Sequence, residues 1–441
     1  MDTPAIPPPK DAREQEILEK LQAIRDQLLL LKQDRTKYVR SQDVMVLYDQ
    51  TAAQVRLLNQ IRDGKHTQEN RLDKVLESCF QLLSLFFMTI GRTSEAPAAY
   101  ALTSTIKRLT DHLAEADLFS AKDLESMNHT LERLTEIVNT AENDNMVELL
   151  ARRIELCRTS LNNLQKKLDR QAEPLRPIYE KLVSILRSIS LNNTRKCFSS
   201  SDVQKLRSQL KDIDEKRVDG HFRGEDGSVL AGSDEVEDLL RRCLLWSDIV
   251  LERKGVIPEP FKPIYDVLIS IRNDLDKLSV TQAWSLRETD LYDFQRQLDK
   301  IDESRVDGNW LDDQGKPAEL YVQRTMLYLI RRSYGFIYSL MISSEPVSEA
   351  LLPIYNQLQT LKRCLLEVKN SGGVGSVREL YPYSMKLHSI DNMRVDGKFM
   401  VGEDIPEGQG SVTELLAECF ELNYELRVAA EEKEENEASE D

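Results

Sequence analysis

The residues best placed to do chemistry are three arginines, Arg217, Arg305 and Arg394, each three residues after an aspartate (Asp214, Asp302, Asp391) and each followed by Val-Asp-Gly. A guanidinium beside the backbone N–H groups of a tight turn can take a phosphate or a partner's carboxylate, so the three arginines are the candidate binding residues of this chain. The same spacing on a helix lets each arginine pair instead with its own aspartate and hold the turn, and this structural role is the favoured reading. A calcium loop is excluded: with Gly220 at the sixth position Arg217 falls at the third, where a cation repels the metal, and the other two copies fail alike.

Other chemistry is thin. The five histidines (His66, His112, His129, His221, His388) show neither an HExxH motif nor zinc spacing with the cysteines, and no GxSxG is present. Gly372-Gly373-Val374-Gly375 lacks the Gly-Lys-Ser/Thr of a phosphate-binding loop and reads as a flexible link. The six cysteines form no CxxC pair, and Cys79, Cys243 and Cys419 read as small core residues. The expectation is a non-enzyme with no catalytic residue, no cofactor and no metal.

A net charge of −16, with −6 in the final EEKEENEASED, gives no electrostatic footprint for nucleic acid or an anionic membrane. Only Arg241-Arg242 and Arg331-Arg332 could hide a basic face, and they read as solvated helix flanks. No run of eighteen apolar residues and no signal-peptide pattern occurs, so a soluble cytoplasmic protein is expected.

The elements that carry the arginines repeat. LKDIDEKRVDGHF from Leu210, LDKIDESRVDGNW from Leu298 and LHSIDNMRVDGKF from Leu387 recur at intervals of 88 and 89 residues. A second phrase precedes each: EPLRPIYEKL, EPFKPIYDVL and EALLPIYNQL place Tyr179, Tyr265 and Tyr355 31, 33 and 32 residues upstream. An apolar segment follows each: LLRRCL, LIRRSY and LLAECF. Proline in the second phrase suits a first helical turn, and apolar residues at three- and four-residue steps predict a helix A, a helix B, a turn and a helix C. Fainter copies stand upstream, one around Tyr100 with Val138 in place of the arginine, and one around Leu18 with IRDGKH at Ile61 in place of the turn.

At each turn Asp219-Gly220, Asp307-Gly308 and Asp396-Gly397 suit positive φ, which predicts a short hairpin. Val218, Val306 and Val395 on one side, and Phe222, Trp310 and Phe399 on the other, are expected to anchor it. The predicted fold is all-α, a tandem array of about five three-helix units, either solenoid-like or linked bundles, with hairpin-like turns at the RVDG phrases. The expected divisions are a flexible arm (1–12), two divergent units (13–94 and 95–172), three clear units (173–258, 259–347 and 348–428) and an acidic disordered tail (429–441).

The RVDG copies, with Pro-Ile-Tyr upstream and the apolar helix downstream, resemble a fungal family of uncharacterised proteins classed as domain of unknown function 2408, most specifically over 173–426. The resemblance implies a cytoplasmic and nuclear protein with no assigned reaction or cofactor, and it carries over no site residues. Stacked helical units present long faces of the kind that bind proteins. The expected function is therefore a helical scaffold for protein partners, with no nucleic acid, membrane or metal. The alternative is a receptor for an anionic or phosphorylated ligand at the RVDG arginines.

Overall fold

Helices dominate because apolar residues recur with helical period, and because prolines and capping side chains mark where each helix starts. The structure, a computed structural model, describes residues 6–62, 69–141 and 145–440. Among them fifteen α-helices run in order: α1 (Ala12–Gln33), α2 (Ser41–Arg62), α3 (Arg71–Thr89), α4 (Ala99–Ala116), α5 (Ala121–Thr140), α6 (Asn145–Asp169), α7 (Arg176–Asn193), α8 (Ser200–Asp214), α9 (Ser233–Arg253), α10 (Lys262–Ser285), α11 (Leu291–Glu303), α12 (Leu320–Ile342), α13 (Leu352–Asn370), α14 (Tyr381–Asp391) and α15 (Gln409–Glu440). The fold is all-α; the strands among the described residues are the two-residue β1 (Arg394–Val395) and β2 (Lys398–Phe399). Pro177 and Pro353 lie in the first turns of α7 and α13, where a missing N–H has no helical partner to lose. Asn70 with Asp73 and Ser120 with Asp123 form reciprocal capping boxes at the starts of α3 and α5.

In each consecutive set of three helices the first packs along the third: α1 on α3, α4 on α6, α7 on α9, α10 on α12 and α13 on α15. One buried contact recurs at this seam. The thiol of Cys79 lies 3.5 Å from the carbonyl of Leu21, Cys157 3.8 Å from Thr103, Cys243 3.7 Å from Leu182 and Cys419 3.5 Å from Leu358. A small side chain there lets the two helices approach closely, and Cys157 joins the three cysteines that the phrases had aligned. Fully buried leucines such as Leu21, Leu182 and Leu358 line the same seams, each contributing about 1.5–3 kcal/mol.

The sets do not stack only on their neighbours. α12 packs on α4 as well as α10, and α11 lies against α3, so the fourth set closes back onto the first two. One apolar core thus runs continuously from Ile17 to Met341, and a second, from Val347 to Ala430, is built by α13–α15. Between them Arg287, almost wholly buried, donates to both oxygens of Glu349 at 2.6 and 2.8 Å and to the carbonyl of Asp34 at 2.9 Å. Gly408 sits so close to this junction that a Cβ there would stand 2.7 Å from the Cα of Val347.

Some expectations need correction. The chain beyond 428 continues as helix, since α15 runs to Glu440; Ala430 is buried and Lys433 donates to the carbonyl of Gly372 at 2.8 Å. Glutamate, alanine and lysine are strong helix formers, and a helix already nucleated on the core extends through them. Of the N-terminal arm, 1–5 lie outside the described residues, while the carbonyl of Pro7 accepts a hydrogen bond from the Arg71 N–H at 3.0 Å. Most of IRDGKH also lies outside them. Gly372 and Gly373 form the end of α13 rather than a loose link: both have positive φ, and the Gly373 N–H donates to the carbonyl of Val368.

Candidate functional site

Each RVDG phrase folds as a two-residue hairpin at the end of its second helix. Asp219 and Gly220, Asp307 and Gly308, and Asp396 and Gly397 all have positive φ, the twist-matched turn that favours Asp-Gly. Val218 and His221 exchange backbone hydrogen bonds at 2.9 and 3.1 Å, Val306 and Asn309 at 2.8 and 2.9 Å, and β1 pairs antiparallel with β2 in the third copy. The aromatic after the turn is the anchor: Phe222, Trp310 and Phe399 are buried, and the Trp310 indole N–H donates to the carbonyl of Ile301 at 3.2 Å. The valines are not anchors. Val218, Val306 and Val395 are more than half exposed, because a two-residue turn holds its first strand residue out on the side opposite the aromatic.

The arginines turn back onto their own hairpins. Arg217 pairs with Asp214 and donates to the carbonyl of Gly220 at 3.2 Å, and Arg394 pairs with Asp391. Arg305 repeats this with Asp302 at 2.8 Å and the carbonyl of Gly308 at 3.2 Å, and also reaches Glu115 on α4 at 2.6 Å. Around it a buried network joins α4 to α11 and α12. His112 lies 3.0 Å from Asp302, Arg108 lies 3.3 Å from Asp299, and the Tyr334 hydroxyl donates to Asp299 at 2.6 Å. Burial opposes a charge on His112, but Asp302 and Glu115 outweigh it and raise its pKa. His112 first, and Arg305 next, hold the Glu115 carboxyl down at about 2. The chemistry of this cluster is cohesion, a charged weld between helices far apart in sequence.

The four buried thiols at the helix seams offer no nucleophile at neutral pH. Burial pushes Cys79 and Cys243 up to about 12, and Cys157 and Cys419 up to about 11. His221, Asp234 and Glu237 come together beside the first hairpin, with His221 Nδ1 3.2 Å from Glu237 Oε1 and all three donor atoms within 4.8 Å of one another. Sequence spacing did not reveal the group, since the histidine stands twelve residues before the helix that carries the acids. Glu237 Oε1 also accepts from the Ser233 hydroxyl, which makes the trio a clasp between hairpin and α9. Of the arginine pairs, Arg241 is exposed and paired with Asp238, whereas Arg242 donates to the carbonyls of Ala116 and Asp117, both at 3.0 Å. Arg331 lies half-buried on α12.

The profile of the family described as "Protein of unknown function (DUF2408)" matches residues 168–288 and 347–440, which hold the hairpins of Arg217 and Arg394. A CUB1 family protein of Schizosaccharomyces pombe is 38% identical over 437 residues, spanning 96% of this chain and 94% of its own length. The "Cu(2+) suppressing and bleomycin sensitive protein 1" of Saccharomyces cerevisiae is 36% identical over 510 residues, spanning 97% and 92%. No solved structure matches the chain.

Proposed function

This chain belongs to the fungal family of the protein of unknown function DUF2408, and from that premise we propose that it is a non-enzymatic helical scaffold that recognises other proteins through apolar surfaces on rigid helices. The observation that carries this reading is α14. Its inner side is core, with Leu387 and Ile390 buried, yet Tyr381 is 64% and Met385 53% exposed, and the hairpin after it adds exposed Met393, Val395 and Met400. A helix apolar on both sides is suited to a partner on the outer one, and methionine adapts to varied surfaces. Val218 and Val306 repeat the exposed tip on the other two hairpins. The three-helix sets are read as five copies of one unit, each holding its hairpin as a fixed platform, with Arg217, Arg305 and Arg394 as internal fasteners. Protonated thiols and a buried histidine committed to Asp302 support the absence of catalysis, and no helix of the described residues is long and apolar enough to cross a membrane.

The test replaces Tyr381 and Met385 together by glutamate. Stability should change by no more than about 0.5 kcal/mol per site, as for ordinary surface positions, while affinity purification from fungal extract should lose partners that the unaltered protein retains. A folded variant that keeps every partner would remove α14 as the recognition surface. A second reading rests on His221, Asp234 and Glu237, whose nitrogen and oxygen donors suit Cu(2+), the ion in the name of the Saccharomyces cerevisiae relative. Their place at the positive end of α9 weakens cation binding. Loss of a Cu(2+) equivalent on His221→Ala would support this reading, and equal uptake by the two proteins would end it.

A further inference from the structure

Two clefts meet at Arg331. The first, about 400 Å³, opens between α4, α5, α7 and α12, and the second, about 270 Å³, between α4, α7, α9 and α12; Leu118 and Arg331 line both. In a chain of net charge −16 these walls are strongly cationic. The first holds Lys122, Arg187, Arg331 and Arg332 against Asp123, and the second Arg242, Arg324 and Arg331 against Glu115. Both acids are engaged already, Asp123 by Arg187 and Glu115 by Arg305. Arg324, Arg331 and Arg332 have no carboxylate of the described residues within ion-pair reach. Arg331 donates one hydrogen bond, to the carbonyl of Leu327 at 3.3 Å, while Arg324 and Arg332 lie over the rings of Trp246 and Phe336. Burial, with Arg187 adding repulsion, lowers the Arg331 pKa to about 10, and burial with Arg242 lowers that of Arg324. Arg332 is exposed, whereas Arg324 and Arg331 are half-buried and lack the counter-charge that cations withdrawn from water require.

We propose that this double cleft binds a small organic phosphate, its anionic group at Arg331 between Arg187 and Arg324 and its apolar body along Leu113, Leu118 and Met127. Guanidinium forks match phosphate oxygens in pairs, and several unpaired arginines call for more than the single charge of a carboxylate. The apolar walls select against inorganic anions, and the volume suits a small molecule rather than a folded partner. The RVDG arginines do not line the clefts, Arg305 touching them only through Glu115, and the outer side of α14 lies elsewhere, so the site does not depend on the scaffold reading.

The test is isothermal titration of the full chain at low salt with pyrophosphate, ADP and dihexanoyl phosphatidic acid, which separate the bare anion, a nucleotide and a lipid headgroup with acyl chains. At least one organic probe should bind one molecule per chain, more tightly than pyrophosphate. Arg331→Met should weaken it at least about tenfold without lowering the melting temperature of the free protein, because the substitution removes an uncompensated cation. Arg324→Met provides the same measurement should Arg331→Met fold poorly, and Arg241→Met, outside both clefts, should bind like the unaltered protein. The proposal is overturned if none of the probes saturates the protein up to about 1 mM, if pyrophosphate binds at least as tightly as the better of the two organic probes, or if the cleft variants bind unchanged.

Discussion

Replacing Asp302 by alanine should cost far more than the same change at Asp214 or Asp391, although the three hold one position in the repeated phrase. The Asp302 side chain is 7% exposed and stands between His112 at 3.0 Å and Arg305 at 2.8 Å. Removing one side of a buried pair leaves its partner charged and unpaired, a loss of about 3–5 kcal/mol. His112 can release its proton and Arg305 keeps Glu115, so the expected loss is about 2–4 kcal/mol. Asp214 and Asp391 are 37% and 32% exposed, and their arginines also reach water; such pairs contribute about 0.5–1 kcal/mol. Urea unfolding followed by far-ultraviolet circular dichroism and tryptophan fluorescence gives the comparison directly. A loss at Asp302 within about 1 kcal/mol of that at Asp214 would refute the weld between α4 and α11.

The same network makes stability depend on pH in two windows of opposite sense. His112 has a raised folded pKa, so its contribution is whole below the unfolded value of 6.5 and is lost as pH rises through the folded value; the stability gap to His112→Gln should narrow from pH 6 upward. Glu115 falls from 4.5 to about 2, so its contribution is present above 4.5 and lost toward 2; the gap to Glu115→Gln should shrink as pH falls from 5 to 3, and a gap that widens would contradict the pairing. Gly397→Ala meets open space and should cost about 1 kcal/mol from its positive φ alone. Gly408→Ala must also push Val347 aside and should cost about 2–3 kcal/mol in thermal unfolding. Equal losses would dismiss the close approach of Gly408 to Val347.

What the sequence made legible is what neighbouring residues decide. Asp-Gly after Arg-Val specifies its turn locally, and the Pro-Ile-Tyr and Cys-bearing helices show their stripes within a few turns, so the hairpins and the all-α class could be read before any packing was known. The exposure of Val218, Val306 and Val395 was misread because both residues flanking a turn are apolar and only the packing beneath shows which is the anchor. His112 and Asp302 stand 190 residues apart, and nothing in their spacing announces a pair. Arg331 looked like a solvated flank because its helix is amphipathic there; only the return of α12 onto α4 half-buries it. The charged run after 428 has the composition of a disordered tail, whereas its glutamates and alanines extend the helix begun at Gln409.

The most direct test of the central claim is the variant in which Arg217, Arg305 and Arg394 are all alanine, measured for melting temperature and, at a temperature where it stays folded, for partner capture. With the arginines as internal fasteners of a scaffold, the melting temperature falls, most of the loss tracing to Arg305, and the folded fraction captures the same partners as the unaltered protein. An unchanged melting temperature together with lost partners would contradict this and make the arginines the binding groups themselves.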